Sequence, residues 1–246
     1  MDFSVSKEPL YLKVKKVFLE AINSGKIGKN GQLPSEKILC QKFNVSRSTI
    51  RSALQSLEND KIIRKQQGVG TFLIQQNRKL KMRIDKVKGF YQLISDTGHA
   101  PSIREEGILR EPIGKKISEE LKVPSDTDAL ILKRTLMGDG KPAIHIREYI
   151  PFTILARVPR VKELPNSIFE ISETFCLQKI EYSISEIIPT TVDSSIMNIL
   201  GLPKREPVLK LEELHFNKND VAIIFSEVYV NDQIIRFNVL RTRERL

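Results

Sequence analysis

Long apolar runs and cysteines are both scarce in this chain of 246 residues. No stretch approaches the roughly 20 consecutive apolar residues of a transmembrane helix, and the charged N-terminus lacks the apolar core of a signal peptide. The two cysteines, Cys40 and Cys176, fall in different predicted domains, which favours free thiols over a disulfide, and Cys40 is expected to be buried. We therefore expect a cytoplasmic protein that does not cross a membrane.

Residue patterns that support catalysis or metal binding are also missing. The three histidines, His99, His145 and His215, stand apart and lack cysteine or carboxylate partners at metal-ligand spacing. The sequence has no serine nucleophile elbow and no phosphate-binding glycine loop of the Walker type. We therefore expect no enzymatic activity, no cofactor and no metal.

Basic residues are concentrated in the first third of the chain. Residues 1–79 hold 15 basic and 6 acidic residues, a net charge of +9, whereas the range 80–246 holds 25 and 24, a net of +1. Such an asymmetry is typical of a nucleic-acid-binding module fused to a second domain. We predict a DNA-binding domain at 1–75, a linker at 76–82 and a second domain at 83–246.

The segment from residue 33 to residue 51 has the pattern of a helix-turn-helix. Ser35 and Ser46 are placed to cap two short helices joined by a turn at 44–45. The apolar residues of the two helices fall at helical spacing: Ile38, Leu39 and Phe43, then Ile50, Leu54 and Leu57. The second helix opens with side chains suited to phosphates and base edges: Arg47, Ser48, Thr49 and Arg51. This pattern predicts a recognition helix, and the alternative is a helical hairpin with a solvated basic end.

A helix before this motif and a hairpin after it complete a winged helix-turn-helix. The helix is predicted at 9–24 and ends at Gly25 and Gly28. Two short strands at 62–64 and 71–74 enclose the tip 65–70, where two glycines permit a tight turn. The hairpin could contact DNA or serve as a plain structural turn.

Residues 8–75 resemble the DNA-binding domain of GntR-type bacterial transcription regulators. The resemblance rests on Leu33-Pro-Ser-Glu36, on Val45-Ser-Arg-Ser-Thr-Ile-Arg51 and on Gln67-Gly-Val-Gly-Thr-Phe72. It implies contacts to double-stranded DNA from ten residues: Ser35, Lys37, Ser46, Arg47, Ser48, Thr49, Arg51, Gln67, Gly68 and Gly70. Gly70 would enter the minor groove at the wing tip. Lys37 and Val69 stand where the family commonly has arginine and a wing cation, so the grip on DNA is expected to differ.

The remainder of the chain alternates short helices with β-rich segments, which predicts an α+β domain built on an antiparallel sheet. Strands are predicted at 102–110, 129–137, 143–150, 179–188, 207–216, 221–230 and 234–239. Helices are predicted at 85–95, 118–123, 167–176 and 192–200. An internal repeat of constant offset aligns Leu121–Pro124 with Leu200–Pro203 and Glu148 with Glu227. We interpret the repeat as a duplication, although two similar hairpins could also match by chance.

Residues 83–246 are similar to the UTRA effector domain of the HutC branch of GntR regulators, a fold related to chorismate lyase. The similarity rests on the repeat, on Glu148–Pro151, on Ser226 and on Arg236-Phe237. It implies a ligand pocket between the sheet and its helices, a homodimer, and a metabolite that re-spaces the two winged helices. The alternatives are an enzyme, because the fold resembles a lyase, and an architectural DNA-binding protein without a ligand.

Seven polar residues are candidates for effector contacts: Arg134, Glu148, Tyr149, Ser226, Glu227, Tyr229 and Arg236. By the resemblance, Arg134 and Arg236 lie where relatives place cations for an anionic effector, although each candidate could be an ordinary surface residue or salt bridge. Leu136, Ile146 and Phe225 replace polar residues of the family pattern. We therefore hypothesise an anionic, partly apolar effector, and a homodimeric repressor that binds a palindromic operator.

Overall fold

The computed structural model describes residues 9–23, 31–74, 84, 88–203 and 206–239. The chain divides into two compact units, Met1–Leu80 and Lys81–Leu246. The boundary between the units falls inside the range predicted as a linker, and residues 76–82 themselves lie outside the described part of the chain.

Three helices form the first unit: α1 (Leu10–Asn23), α2 (Glu36–Phe43) and α3 (Arg47–Asn59). Both predicted caps are present, because Ser35 Oγ accepts a hydrogen bond from the Ile38 backbone at 3.4 Å and Ser46 Oγ accepts one from Thr49 at 3.2 Å. Asn44 ends α2 in the left-handed conformation, with φ of 49°. The predicted helix-turn-helix is confirmed, and the expected stop of α1 at Gly25 and Gly28 lies outside the described residues.

The core of this unit differs from the predicted pattern at one position of α2. Leu39 is buried as expected, whereas Ile38 is 44% exposed. Consecutive helical residues point about 100° apart, so α2 can turn only one of the two toward α3. Cys40 is partly buried instead of fully buried, and both cysteines are free thiols.

The hairpin after α3 consists of β1 (Ile63–Gln66) and β2 (Gly70–Leu73), which pair in antiparallel fashion. The turn residues are Gln67, Gly68 and Val69. Gly70 was predicted at the tip but is the first residue of β2, paired with Gln66. Gly70 has φ of 139°, a backbone conformation that side-chain-bearing residues rarely adopt, so glycine is favoured here.

A six-stranded antiparallel sheet forms the centre of the second unit. Its strands are β3 (Pro101–Pro112), β4 (Asp128–Gly138), β5 (Lys141–Pro151), β6 (Tyr182–Thr190), β7 (Val208–Phe216) and β8 (Ala222–Val230). They lie in the order β3-β4-β5-β8-β7-β6. The order is symmetric about the β5–β8 pair, which agrees with two copies of a strand-helix-strand-strand unit.

Helices cover both faces of this sheet. The front face packs against α4 (Phe90–Asp96) and against α6 (Ile168–Ile171), which continues as a π-helical turn, Ser172–Cys176. The back face packs against α5 (Lys115–Leu121) and α7 (Ser194–Leu200). Two apolar layers therefore enclose the sheet, and successive residues of a strand point into different layers.

Pairing registers refine the predicted repeat. Arg134 pairs with Ile146 in the first hairpin, and Glu213 pairs with Ser226 in the second. In sequence, Arg134 and Glu213 are separated by the same offset as the two copies of the predicted repeat. Ile146 and Ser226 are separated by one residue more than that offset. The alignment of Glu148 with Glu227 is therefore wrong by one residue: Glu148 pairs with Ser226, and Glu227 pairs with Arg147.

Two predicted elements of this unit differ from the structure. The last strand, predicted at 234–239, is absent, and only Asn238 makes a bridge within that segment. The Asn231 carbonyl accepts hydrogen bonds from the backbones of Ile234 and Ile235 at 3.1 and 2.9 Å, which turns the chain away from the sheet. Ile235 is buried all the same, so apolar content there reflects packing without strand pairing. The helix predicted at 118–123 is shifted to Lys115–Leu121.

Candidate functional site

The N-terminus of α3 presents a cluster of short polar side chains. Ser46 Oγ lies 2.8 Å from both Ser48 Oγ and Thr49 Oγ1, in addition to capping the helix. Ser46 and Ser48 are exposed. Hydroxyls and free backbone N–H groups at a helix N-terminus are suited to phosphate oxygens.

Glu36 links the two arginines of this helix. Its Oε2 accepts hydrogen bonds from Arg47 Nε at 3.1 Å and from Arg51 Nε at 3.0 Å. Burial acts to raise the Glu36 pKa, but the hydrogen bonds from the two guanidinium groups outweigh it and hold the pKa below its ordinary value. Because both arginines use Nε, their terminal nitrogens remain available on side chains that are 69% and 59% exposed.

The other predicted DNA contacts surround this cluster within the first unit. Ser35 and Lys37 are both exposed at the start of α2, and Gln67 and Gly68 are exposed at the turn of the wing. A concavity of about 610 Å³ is lined by Glu36 and by residues 65–71 of the wing. The structure thus brings the wing residues and Glu36 around one depression.

A second candidate site lies on the front face of the large sheet. It is a cavity of about 40 Å³ whose polar lining includes Arg134, Glu148, Glu213, His215 and Ser226. Its apolar lining consists of Phe90, Leu136, Ile146, Ile168 and Phe169. The space is sufficient for a few water molecules.

Arg134 and Glu148 form a buried ion pair in this cavity. Arg134 Nη2 donates to both carboxylate oxygens of Glu148, at 2.6 and 2.8 Å, and each side chain is only 2% exposed. Arg134 Nη1 donates to the Pro165 carbonyl at 3.0 Å, whereas Nε is buried without a partner in the described structure. The predicted cation is therefore already neutralised by a carboxylate.

Four of the seven predicted effector residues do not line the cavity. Tyr149, Glu227 and Tyr229 lie on the back face, one residue out of phase with Glu148 and Ser226. Arg236 is exposed, and its Nε donates to the Asp232 carbonyl at 3.3 Å. The structure does not bring those four residues to the cavity, and for the three on strands the reason is that alternation places neighbouring residues on different faces.

The back-face residues form a network of their own. Tyr149 donates to Glu227 Oε2 at 3.0 Å, and Lys210 Nζ lies 2.6 Å from Glu227 Oε1 and 2.8 Å from Glu212 Oε1. Burial, together with the neighbouring Glu227 charge, raises the Tyr149 pKa well above its ordinary value. These side chains satisfy one another beneath α5 and α7, which is a structural role.

Comparisons with known proteins decide the family. A model described as bacterial regulatory proteins of the gntR family matches residues 10–73, and a UTRA domain model matches residues 96–235. This chain is a GntR-family transcription regulator with a UTRA effector domain. Membership confirms DNA binding and effector binding as its general activities, and the family is not enzymatic.

Relatives of this regulator span nearly its whole length. A protein of Escherichia coli K12 named "Probable fructoselysine utilization operon transcriptional repressor" is 27% identical over 237 residues, covering 91% of each chain. The regulator YurK of Bacillus subtilis is 24% identical over 246 residues, covering 95% of this chain and 96% of YurK. The crystal structure of YydK from Bacillus subtilis has a TM-score of 0.77 at 20% identity, covering 95% of this chain and 99% of YydK, and this likeness shows the shared fold.

Two further observations complete the description of the regulator. None of the helices in the described part of the chain is long and apolar enough to cross a membrane. Across those same residues, no group of three or more histidine, cysteine, aspartate or glutamate side chains is arranged to hold a metal ion.

Sequence reasoning missed six polar residues that line the cavity: Lys88, Asn166, Ser167, Ser183, Glu213 and His215. Ser183 Oγ lies 2.7 Å from His215 Nδ1, His215 Nε2 lies 2.9 Å from Ser226 Oγ, and Ser185 donates to Glu213 at 2.7 Å. Burial lowers the His215 pKa to about 4, so this ring is neutral at pH 7. The repeat held the missing signal, because its offset makes Glu213 the counterpart of Arg134.

Proposed function

We propose that this regulator is a homodimeric repressor that binds a palindromic operator and is controlled by a small-molecule effector. The observation that carries the DNA-binding part is the Glu36-linked pair of exposed arginines at the start of α3. A protein that acts on the bacterial chromosome works in the cytoplasm.

Arg47 and Arg51 are proposed to read base edges in the major groove. A shared anchor at Nε limits side-chain freedom, so less rotamer entropy is lost when the terminal nitrogens bind guanine. The other eight residues predicted to contact DNA are proposed to bind phosphates or to shape the wing: Ser35, Lys37, Ser46, Ser48, Thr49, Gln67, Gly68 and Gly70. Gly70 would act through the shape of the wing, since its φ of 139° sets the backbone at the start of β2.

The experiment that tests this proposal measures binding to the DNA upstream of the regulated genes by fluorescence anisotropy. Footprinting should show two inverted half-sites, as a twofold dimer requires. A single asymmetric half-site would contradict the dimer model. A metabolite panel added to the complex should release the DNA with at least one compound, whereas an architectural protein would respond to none.

The exposed edge of the large sheet supports the dimer. β6 is an edge strand, and its side chains Ile184 and Ile187 are 56% and 52% exposed. An edge strand with exposed apolar residues is suited to pairing with another copy. Ile184→Lys should shift the regulator from dimer to monomer in sedimentation, and an unchanged sedimentation coefficient would exclude this edge.

The cavity is the proposed effector site. It combines an apolar wall, made in part by Phe90 and Phe169, with serine and histidine hydrogen-bonding groups. A cavity of about 40 Å³ is far smaller than the roughly 300 Å³ of ordinary ligand sites, so an effector must enlarge it. Effector binding therefore has to displace α4 or α6, and this displacement is the proposed basis for the control of DNA binding. The anionic character expected for the effector has no support here, because Glu148 already balances Arg134.

The direction of regulation is proposed to be repression. The support is the name of the Escherichia coli relative, which describes a transcriptional repressor. A reporter fused to the operator should be expressed more strongly when the regulator is deleted. Weaker expression after deletion would instead indicate an activator.

A further inference from the structure

The charges inside the cavity are not balanced. Arg134 and Glu148 neutralise each other, and Lys88 at the rim donates to Asp96 Oδ2 at 2.7 Å, so its charge is also matched. Glu213 is the remaining acidic side chain of the lining, and it has no cationic partner among the described residues. The cavity therefore carries an excess negative charge whenever Glu213 is ionised.

Glu213 has one carboxylate oxygen free to bind a ligand. Oε1 accepts the hydrogen bond from Ser185 at 2.7 Å, and Oε2 has no hydrogen-bond partner within the described structure. Ser226 lies between Glu213 and Glu148 in the sheet, since it pairs with each of them on neighbouring strands. With strands about 4.8 Å apart, the two glutamates are separated by roughly 10 Å at the backbone.

The surroundings disfavour an unpaired negative charge at this position. Burial raises the Glu213 pKa, the nearby Glu148 adds to that effect, and the hydrogen bond from Ser185 offsets only part of it. Glu105 pairs with Arg134 across β3 and β4, and its pKa is also raised by burial. Carboxyl groups thus outnumber the cations around Arg134, so a further anion would meet repulsion and a cation would meet attraction.

We propose that the effector carries a protonated amine, and that Glu213 binds it. This proposal rests on the cavity being the effector site. Ser226 and Ser183 lie next to the neutral His215 and can hydrogen-bond hydroxyl groups of the same molecule. The rings of Phe90 and Phe169 line the same space, and aromatic faces also attract ammonium groups.

The test uses the full-length protein without DNA, so that it is independent of the operator. Glucosamine, glucose and glucose 6-phosphate share one skeleton and carry a positive, a neutral and a negative group. Butylamine, butanol and butyrate provide the same series on an apolar skeleton. Binding is measured as the rise in melting temperature with probe concentration, followed by calorimetric titration of any probe that stabilises the protein.

At least one amine should stabilise the protein saturably, with its neutral and anionic analogues giving a smaller shift. Glu213→Gln keeps the size and hydrogen-bonding ability of the side chain but removes its charge, so amine affinity should fall roughly 10- to 100-fold. Glu213→Asp should retain part of the affinity. Glu119→Gln, at an exposed glutamate of α5 on the back face, is the matched control and should leave amine binding unchanged.

Three outcomes would overturn the proposal: no amine-dependent stabilisation by either series, equal stabilisation of the Glu213→Gln variant, or a preference for the anionic probes. Different experiments test the amine proposal and the model of DNA recognition. Loss of operator binding in the anisotropy assay would contradict the model of DNA recognition, whereas the melting experiment reports on the cavity alone.

Discussion

The buried Arg134–Glu148 pair makes a quantitative prediction about stability. Glu148→Gln preserves the shape of the side chain but leaves the Arg134 charge without a counter-ion at a site that is 2% exposed. Removing one partner of a buried ion pair typically costs about 3–5 kcal/mol, because the remaining charge stays in a medium of low dielectric. Two hydrogen bonds, of 2.6 and 2.8 Å, would be weakened together.

The assay is urea unfolding followed by tyrosine fluorescence. The chain has no tryptophan and five tyrosines, of which Tyr11 alone lies in the first unit, so the signal reports mainly on the second. With an m value of about 2 kcal/mol per M, a loss of about 4 kcal/mol lowers the urea midpoint by about 2 M.

Two variants test whether an unpaired Arg134 charge causes this loss of stability. The double variant Arg134→Met with Glu148→Gln removes both charges and should recover most of the stability, because no unpaired charge remains. Glu213→Gln is the single-site control: it removes a carboxyl group whose pKa is raised by burial, so stability at pH 7 should be unchanged or higher. A double variant as unstable as the sum of the two single changes would refute the argument, as would equal losses for Glu148→Gln and Glu213→Gln.

Further predictions concern the DNA surface and the buried histidines. Arg47→Ala should abolish operator-specific binding, whereas Lys13→Ala on the exposed side of α1 should weaken it little, and equal losses in anisotropy would contradict a recognition role. Glu36→Gln should lower affinity for the operator but not for scrambled DNA across a salt series, because the arginines lose their common anchor. Burial lowers the pKa of His215 and His145 to about 4, below the unfolded value of 6.5. The free energy of unfolding should therefore fall as the pH drops from about 6.5 to 4, by up to about 3 kcal/mol per histidine. In the His215→Gln variant, the urea midpoint should depend less on pH over that range.

Local sequence signals predicted the first unit well. Ser35 and Ser46 are caps whose hydrogen bonds span three residues, and Asn44 tolerates the left-handed conformation, so these features depend on the segment alone. The link between Glu36 and Arg51 was not predicted, since it joins residues 15 apart on different helices. Helix-helix geometry decides which charges meet, and no local pattern records it.

The cavity was harder to predict, because it depends on the register of the sheet. The strands were mostly found, but a one-residue error in aligning β5 with β8 matched Glu148 to Glu227, which lie on different faces. Because successive side chains of a strand point to opposite faces of the sheet, an error of one residue assigns every side chain to the wrong face. Tyr149 and Tyr229 were chosen as polar residues of the two hairpins without regard to the face on which they lie, and they belong to the back-face network.

The symmetry of the sheet relates the two ionisable positions of the cavity. Arg134 and Glu213 are equivalent positions of the two halves, because each lies on the first strand of its hairpin, where Arg134 pairs with Ile146 and Glu213 pairs with Ser226. One half has a cation that pairs with Glu148, and the other has a carboxyl group that accepts a hydrogen bond from Ser185 and whose pKa is raised by burial. Residues that pair with each other stabilise the fold, whereas a charge without a partner is stabilised only by what binds to it. The pairing of Arg134 with Glu148 therefore leaves Glu213, the equivalent position of the other half, as the ionisable group available to the proposed effector.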